Sequence, residues 1–258
     1  MRSTFPLALT FLTVLPWRGL GEVGPGDLAR SMFWFPWVGL ILGLGFWGVL
    51  LAFQSIFPPA AAAALLLALT VLATRGLHLD GLADTVDGLG GGKTPQERLV
   101  IMKDSRLGAF GAVSLFLALL LKFSFFLAWA ERGAAPGFIL FPVLSRWGMV
   151  FLAYLSPYAR PGGGLGQAMT AGVSGRVLLG ATLSALALAL LTTGVLGLFL
   201  LVAAAAAVWL LSLYFQKKLG GVTGDVLGAA NEILEILVLA GLILCNHFLP
   251  ALSSLRFF

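Results

Sequence analysis

Charge is scarce in this sequence, and with it most of what a water-facing surface requires. Only 10% of the 258 residues are Asp, Glu, Lys or Arg, against roughly 25% in an ordinary soluble domain. Mean hydropathy is +1.00, so hydrocarbon is the solvent this composition suits. Cysteine is limited to Cys245 in an apolar run, which excludes a disulfide framework. The net charge of +5 is small and scattered, fitting loops beside anionic lipid and arguing against a nucleic-acid-binding face. No linker breaks the chain, so residues 1–258 are expected to form one integral membrane domain.

What is abundant fits a membrane bundle: 33 glycines and 7 tryptophans, small residues for close helix packing and indoles for the interface. Apolar runs near the ~20 residues needed to span a bilayer occupy 33–57, 59–75, 109–130, 136–156, 177–193, 198–215 and 226–249. The fold class is therefore all-α, a polytopic transmembrane helix bundle of about seven spans. Ahead of them, Phe5 to Leu15 is too short to cross and ends in Pro16-Trp17-Arg18 without a small-residue cleavage site. It reads as a retained interfacial or re-entrant helix. With the N-terminus cytoplasmic, the loops on that side hold twelve basic residues, among them Arg75, Lys93, Arg98, Arg160, Lys217 and Lys218. The opposite side holds Arg132 and Arg256, a clear positive-inside bias that places the C-terminus outside.

Eight of the eleven acidic residues lie in two segments, 76–111 and 220–235, and both open on the cytoplasmic side. In the first, Asp80, Asp84 and Asp87 are spaced i, i+4, i+7, so a helix sets all three on one face. Carboxylates that close repel one another, and a divalent cation would relieve the repulsion. Oxygen-only donors favour Mg²⁺ or Mn²⁺ over zinc; the bland alternative is a solvated helix end. His78 falls opposite the Asp face, which suits a local hydrogen bond, with proton transfer as the second reading.

Downstream, Lys103-Asp104-Ser105-Arg106 sets basic and hydroxyl groups beside a carboxylate, as a phosphate next to a metal would require, or as a positive-inside anchor. In the second segment Gly220, Gly221 and Gly224 precede a helix N-terminus, a favourable place for an anion. Asp225 and Glu232 are seven apart on one face, which makes Glu232 a further candidate metal ligand. Glu235 lies ~15 Å in from Asp225 and needs a partner. Lys122 and Arg146 fall within spans; each is a candidate for substrate phosphate or for an ion pair with Glu232 or Glu235. Two glycine motifs fail on context. Gly88 to Thr94 has Asp87 where a P-loop needs glycine, and Gly43-Leu-Gly45-Phe-Trp-Gly48 sits inside an apolar span.

The string Gly-Leu-His78-Leu-Asp80-Gly-Leu-Ala-Asp84-Thr-Val-Asp87-Gly, followed by Glu97-Arg98 and Met102-Lys103-Asp104-Ser105-Arg106-Leu-Gly108-Ala-Phe-Gly111, resembles the cobalamin synthases, the adenosylcobinamide-GDP ribazoletransferases. Phe11-Leu-Thr13-Val-Leu-Pro16, Lys122, Arg146 and Gly221-Val-Thr-Gly-Asp225 extend the likeness over almost the whole chain. The resemblance implies a Mg²⁺-dependent reaction, with Mn²⁺ an alternative, of adenosylcobinamide-GDP with α-ribazole or its 5′-phosphate. The products are adenosylcobalamin, or its 5′-phosphate, and GMP. On this reading Asp80, Asp84 and Asp87 hold the metal on the pyrophosphate, and Asp104 or Asp225 completes that site or accepts the hydroxyl proton. Lys103, Ser105 and Arg106 steady the phosphates. It further implies the cytoplasmic membrane of a bacterium or archaeon and association with other cobalamin-assembly enzymes. The spaced aspartates of CDP-alcohol phosphotransferases are a looser parallel, since Leu77 and Asp84 break their pattern. An ion-coupled transporter using intramembrane carboxylates is the rival class.

Overall fold

A computed structural model describes residues 4–24, 26–133, 135–160, 165–170 and 172–248; Arg2, Arg256 and the end of the last expected span lie outside them. Every regular element among the described residues is helical, and a single parallel bridge joins Tyr158 to Val222. The chain opens with α1 (Phe5–Leu12) and the short α2 (Asp27–Ser31), which runs through a 3-10 turn into α3 (Phe35–Gln54). Next come α4 (Pro59–Ala73), α5 (Leu77–Gly91), α6 (Pro95–Ile101) and α7 (Ala109–Arg132). A 3-10 turn leads into α8 (Leu140–Leu155), followed by α9 (Leu165–Thr170), α10 (Gly175–Thr193), α11 (Val195–Leu219) and α12 (Gly224–Phe248). Among the described residues six helical segments are long and apolar enough to cross a membrane, and the number is seven if α4 and α5, bent by 85° to one another, are counted together as one broken span. The expected bundle is thus present, and the pair at 177–215 is two helices joined through Gly194.

Packing follows from where the apolar residues sit. α8 is apolar around most of its circumference and is buried accordingly, with Phe141, Leu144, Val150 and Leu152 all inaccessible. It forms the axis of the bundle, against which α3, α10, α11 and α12 pack. On α3, Gly39 and Gly43 make this approach a close one: a Cβ there would stand 2.4 and 2.5 Å from the carbonyl oxygens of Pro142 and Ile139. The other two glycines of the same motif, Gly45 and Gly48, face open space, so only part of that pattern serves packing. α7 is the reverse of α8. Val113, Phe116, Leu117 and Leu120 point outward, a face that water would not tolerate at this size but lipid does.

The bend between α4 and α5 governs the rest. Arg75 adopts φ 55° and Gly76 φ 66°, and the Gly76 N–H returns to the Val71 carbonyl at 2.9 Å, closing α4 as an αL-terminated helix. A left-handed arginine costs roughly 1–2 kcal/mol. Tertiary contacts offset it: the guanidinium donates to the Thr13 carbonyl at 3.2 Å, and Val14 N–H pairs with the Ala73 carbonyl at 2.8 Å. The segment after α1 is thereby fastened to the corner from which α5 departs.

Candidate active site

α5 lies between α12 and α7, and its faces have different fates. Gly81 is where α12 comes nearest, its Cβ position only 2.6 Å from the Asp225 carbonyl oxygen. Without a side chain at 81 the two backbones touch, and Asp225 is brought level with the α5 carboxylates. Asp84 is half-buried there, within electrostatic reach of Asp80, Asp225, Asp87 and Arg160. Asp80 and Asp84 line an open cleft of ≈ 550 Å³ together with Arg75, Ser105 and Thr13, with Leu115 and Leu119 of α7 as its apolar wall.

Asp87 has been drawn into a different task. Its carboxylate accepts the N–H groups of Gly108 (2.8 Å) and Gly111 (2.7 Å), capping the first turn of α7. Any Cβ at 108 or 111 would fall 2.4 or 2.3 Å from an Asp87 oxygen, which is why glycine occupies both places. The shared helical face expected for three aspartates is therefore divided: two carboxylates open on the cleft, and the third anchors the neighbouring helix.

The Lys103–Arg106 run is only partly in the site. Ser105 lines the cleft. Asp104 is taken by its neighbour: Arg106 donates Nε at 3.0 Å and its terminal nitrogen at 2.6 Å to the two carboxylate oxygens. These bonds hold the Asp104 carboxyl down at about 2, which suits it poorly to accept a proton, one of the two roles expected for Asp104 or Asp225. Lys103 is exposed. Glu97 completes a capping box with Thr94 at the start of α6.

Glu232 does not join the aspartates. Its carboxylate receives Lys122 Nζ at 2.5 Å, and the same ammonium lies 2.5 Å from Glu235. Arg146 pairs with the other oxygen of Glu235, and Asn231 Nδ2 donates to it at 3.2 Å. All four charged groups are between 1% and 4% exposed. The two cations and two anions cancel, which is the condition for burying them. Around them remains a polar void of ≈ 10 Å³, about one water in size. Lys122 and Arg146 thus take the ion-pair reading and Glu232 is corrected from metal ligand to counterion. His78 is 1% exposed, its backbone packs against Gly228 of α12, and neither ring nitrogen has a hydrogen-bond partner among the described residues, so the expected local hydrogen bond is not made.

Two arginines outside the expected set stand at the site. Arg75, a loop charge by sequence, lines the cleft; its place next to Gly76 and the Asp motif is the signal that points to it. Arg160 donates to Asp225 Oδ2 at 2.6 Å and more weakly to the Met102 carbonyl at 3.3 Å; nothing local in the sequence pairs residues 65 apart. Asp225 also accepts the Thr223 hydroxyl at 3.3 Å.

Whether a divalent cation suits this place turns on its donors. Among the described residues no three His, Cys, Asp or Glu side chains are gathered as a ready cage. The chemistry nonetheless fits a hard cation, because Asp80, Asp84 and Asp225 are oxygen donors, and at Asp84 the other carboxylates repel while Arg160 attracts. Mg²⁺ commonly keeps several waters and takes one or two carboxylates plus substrate phosphate, so a preformed cage is not required.

Comparison with known proteins identifies the family. The cobalamin-5-phosphate synthase family profile matches residues 4–243. Proteins called adenosylcobinamide-GDP ribazoletransferase from Syntrophobacter fumaroxidans, Desulfitobacterium hafniense and Pseudomonas fluorescens are 45%, 41% and 43% identical to this chain. Those alignments cover 93%, 91% and 93% of this chain and 98%, 94% and 98% of the respective relatives. No solved structure matches the chain.

Proposed function

The chain belongs to the cobalamin-5-phosphate synthase family, and from that premise we infer that it is an adenosylcobinamide-GDP ribazoletransferase, joining adenosylcobinamide-GDP and ribazole in the last stage of cobalamin synthesis. The supporting observation in the structure is the cleft in which Asp80 and Asp84 stand opposite an apolar wall, with Arg75 and Ser105 beside them. Its ≈ 550 Å³ suits the nucleotide end of the donor and leaves the corrinoid at the mouth.

In the reaction the ribose 3′-hydroxyl oxygen of ribazole bonds to the phosphorus nearer the corrinoid. The bond from that phosphorus to the bridging oxygen breaks, and GMP departs with the bridging oxygen. Protein contributions to such a transfer are positioning and charge neutralisation. Arg75 and the Ser105 hydroxyl bind phosphate oxygens, while Leu115 and Leu119 keep the wall dry. The hydroxyl proton passes to a cleft carboxylate, Asp80 or Asp84. Mg²⁺, or Mn²⁺ in its place, would be held by Asp80, Asp84 and Asp225 and would supply charge neutralisation at the pyrophosphate. α7 is kept in register by Asp87.

The positive-inside charge distribution supports a cytoplasmic-membrane location with the cleft on the cytoplasmic side, where both nucleotide substrate and GMP are soluble. Glu232 and Glu235, the carboxylates an ion-coupled transporter would use, are spent on Lys122 and Arg146. The test is direct. Purified protein in detergent is given adenosylcobinamide-GDP and α-ribazole, with Mg²⁺ or with a chelator, and cobalamin and GMP are measured. Formation of both in equal amounts, abolished by the chelator, is expected; folded protein that makes neither sinks the assignment.

A further inference from the structure

Arg160 stands out by what it leaves unused. The backbone just before it is held where residues 157–159 bridge to the loop before α12: Val222 N–H donates to the Pro157 carbonyl and Ala159 N–H to the Val222 carbonyl, each at 2.9 Å. The guanidinium is held against Asp225 of α12 and within electrostatic reach of Asp84 on α5, its side chain 15% exposed. Yet only one of its nitrogens, at 2.6 Å, engages Asp225, and its Nε is buried with no hydrogen-bond partner among the described residues. Arg106, by contrast, spends both Nε and a terminal nitrogen on Asp104. A buried unsatisfied donor is costly. The Nε of Arg146 is likewise unpartnered, but that side chain is 1% exposed within the buried quartet, whereas Arg160 keeps 15% exposure and lies within electrostatic reach of Asp84.

Building on the function proposed above, we propose that Arg160 is a binding residue for the pyrophosphate of the nucleotide donor, held in readiness by Asp225. The planar fork matches phosphate geometry, and the site otherwise carries an excess of negative charge from Asp80, Asp84, Asp87 and Asp225 that would repel the anion. Arg160 offsets part of that charge at Asp84. Asp225 orients the guanidinium when the anion is absent, and it is released for a cation when Arg160 turns to phosphate.

GDP serves as the probe, titrated calorimetrically into the full-length protein in detergent with and without Mg²⁺. Arg160→Ala is expected to weaken GDP binding on the order of 10- to 100-fold and to raise KM for adenosylcobinamide-GDP in proportion. KM for α-ribazole and the melting temperature should stay near wild type. Arg160→Lys, which keeps the charge and loses the fork, should fall between. Should the alanine variant not fold, the lysine variant decides: wild-type GDP affinity in a folded Arg160→Lys protein overturns the proposal. So does an Arg160→Ala protein that binds GDP normally, or one whose two KM values rise together as its stability falls. Arg160-dependent GDP binding without cobalamin formation would overturn the transferase reading alone. Cobalamin formation with Arg160-independent GDP affinity would overturn the Arg160 proposal alone.

Discussion

Gly81 and Asp225 meet backbone to backbone where α5 crosses α12, the Cβ position of residue 81 standing 2.6 Å from the Asp225 carbonyl oxygen. This contact unites two stretches of sequence 144 positions apart (225 less 81), and it sets the spacing between Asp225 and the cleft carboxylates.

Gly81→Ala should therefore push α5 away from α12. Overpacking of this kind costs about 1–3 kcal/mol, and a carboxylate displaced by an ångström can lower turnover on the order of 100-fold. Gly45→Ala, at a position with open space around it, is the control and should behave as wild type. Turnover and thermal stability in detergent check both; equal activity of the two variants would remove the contact's role.

Asp84 and Asp87 should separate on mutation. Asp84→Asn is expected to abolish turnover while leaving membrane insertion and melting temperature unchanged. Asp87→Asn weakens the cap on α7 and should cost roughly 0.5–2 kcal/mol of stability, with activity falling in step. A stability loss for Asp84→Asn instead would reverse the two assignments.

Lys122→Met strands Glu232 and leaves Glu235 with Arg146 as its cation, and should destabilise by on the order of 3–5 kcal/mol. Replacing Glu232 by Gln in the same chain removes the stranded charge, and part of the loss should return. Denaturation in mixed micelles measures both. A single variant as stable as wild type would show that the quartet is not held together by charge.

Arg106 holds the Asp104 carboxyl at about 2, down from 3.8. A carboxylate lowered on folding stabilises its turn at pH values above the unfolded pKa, and that contribution is lost as pH falls through the folded value. Asp104 thus stays ionised at any working pH and contributes no limb to the rate profile. In Arg106→Ala its titration, followed by carboxyl ¹³C NMR, should move back toward 3.8; an unmoved curve would mean that the pair does not form in solution.

Much of this was legible from residues in order. Hydropathy marked the spans, since a bilayer imposes both their length and the helical satisfaction of every backbone group. Helical period put Asp80 and Asp84 together and His78 on another face, and the chain's likeness to one family followed from the Asp80–Gly111 string. Glu235's need for a partner was visible too, because an intramembrane carboxylate is rarely left alone.

Which partner each charge would find was not visible. Period along one helix tells which side chains share a face, but not what the fold brings against it. Asp87 met the N-terminus of α7 rather than the cleft, through Gly108 and Gly111. Glu232 met Lys122, 110 positions away, and Asp225 met Arg160. In a medium of low dielectric an unpaired charge is expensive, so each ion settles on the counterion that packing puts within reach. The sequence by itself determined that the chain lives in a membrane, with its charges scarce and grouped. Only the tertiary structure decided which of those charges neutralise one another and which remain open to a substrate.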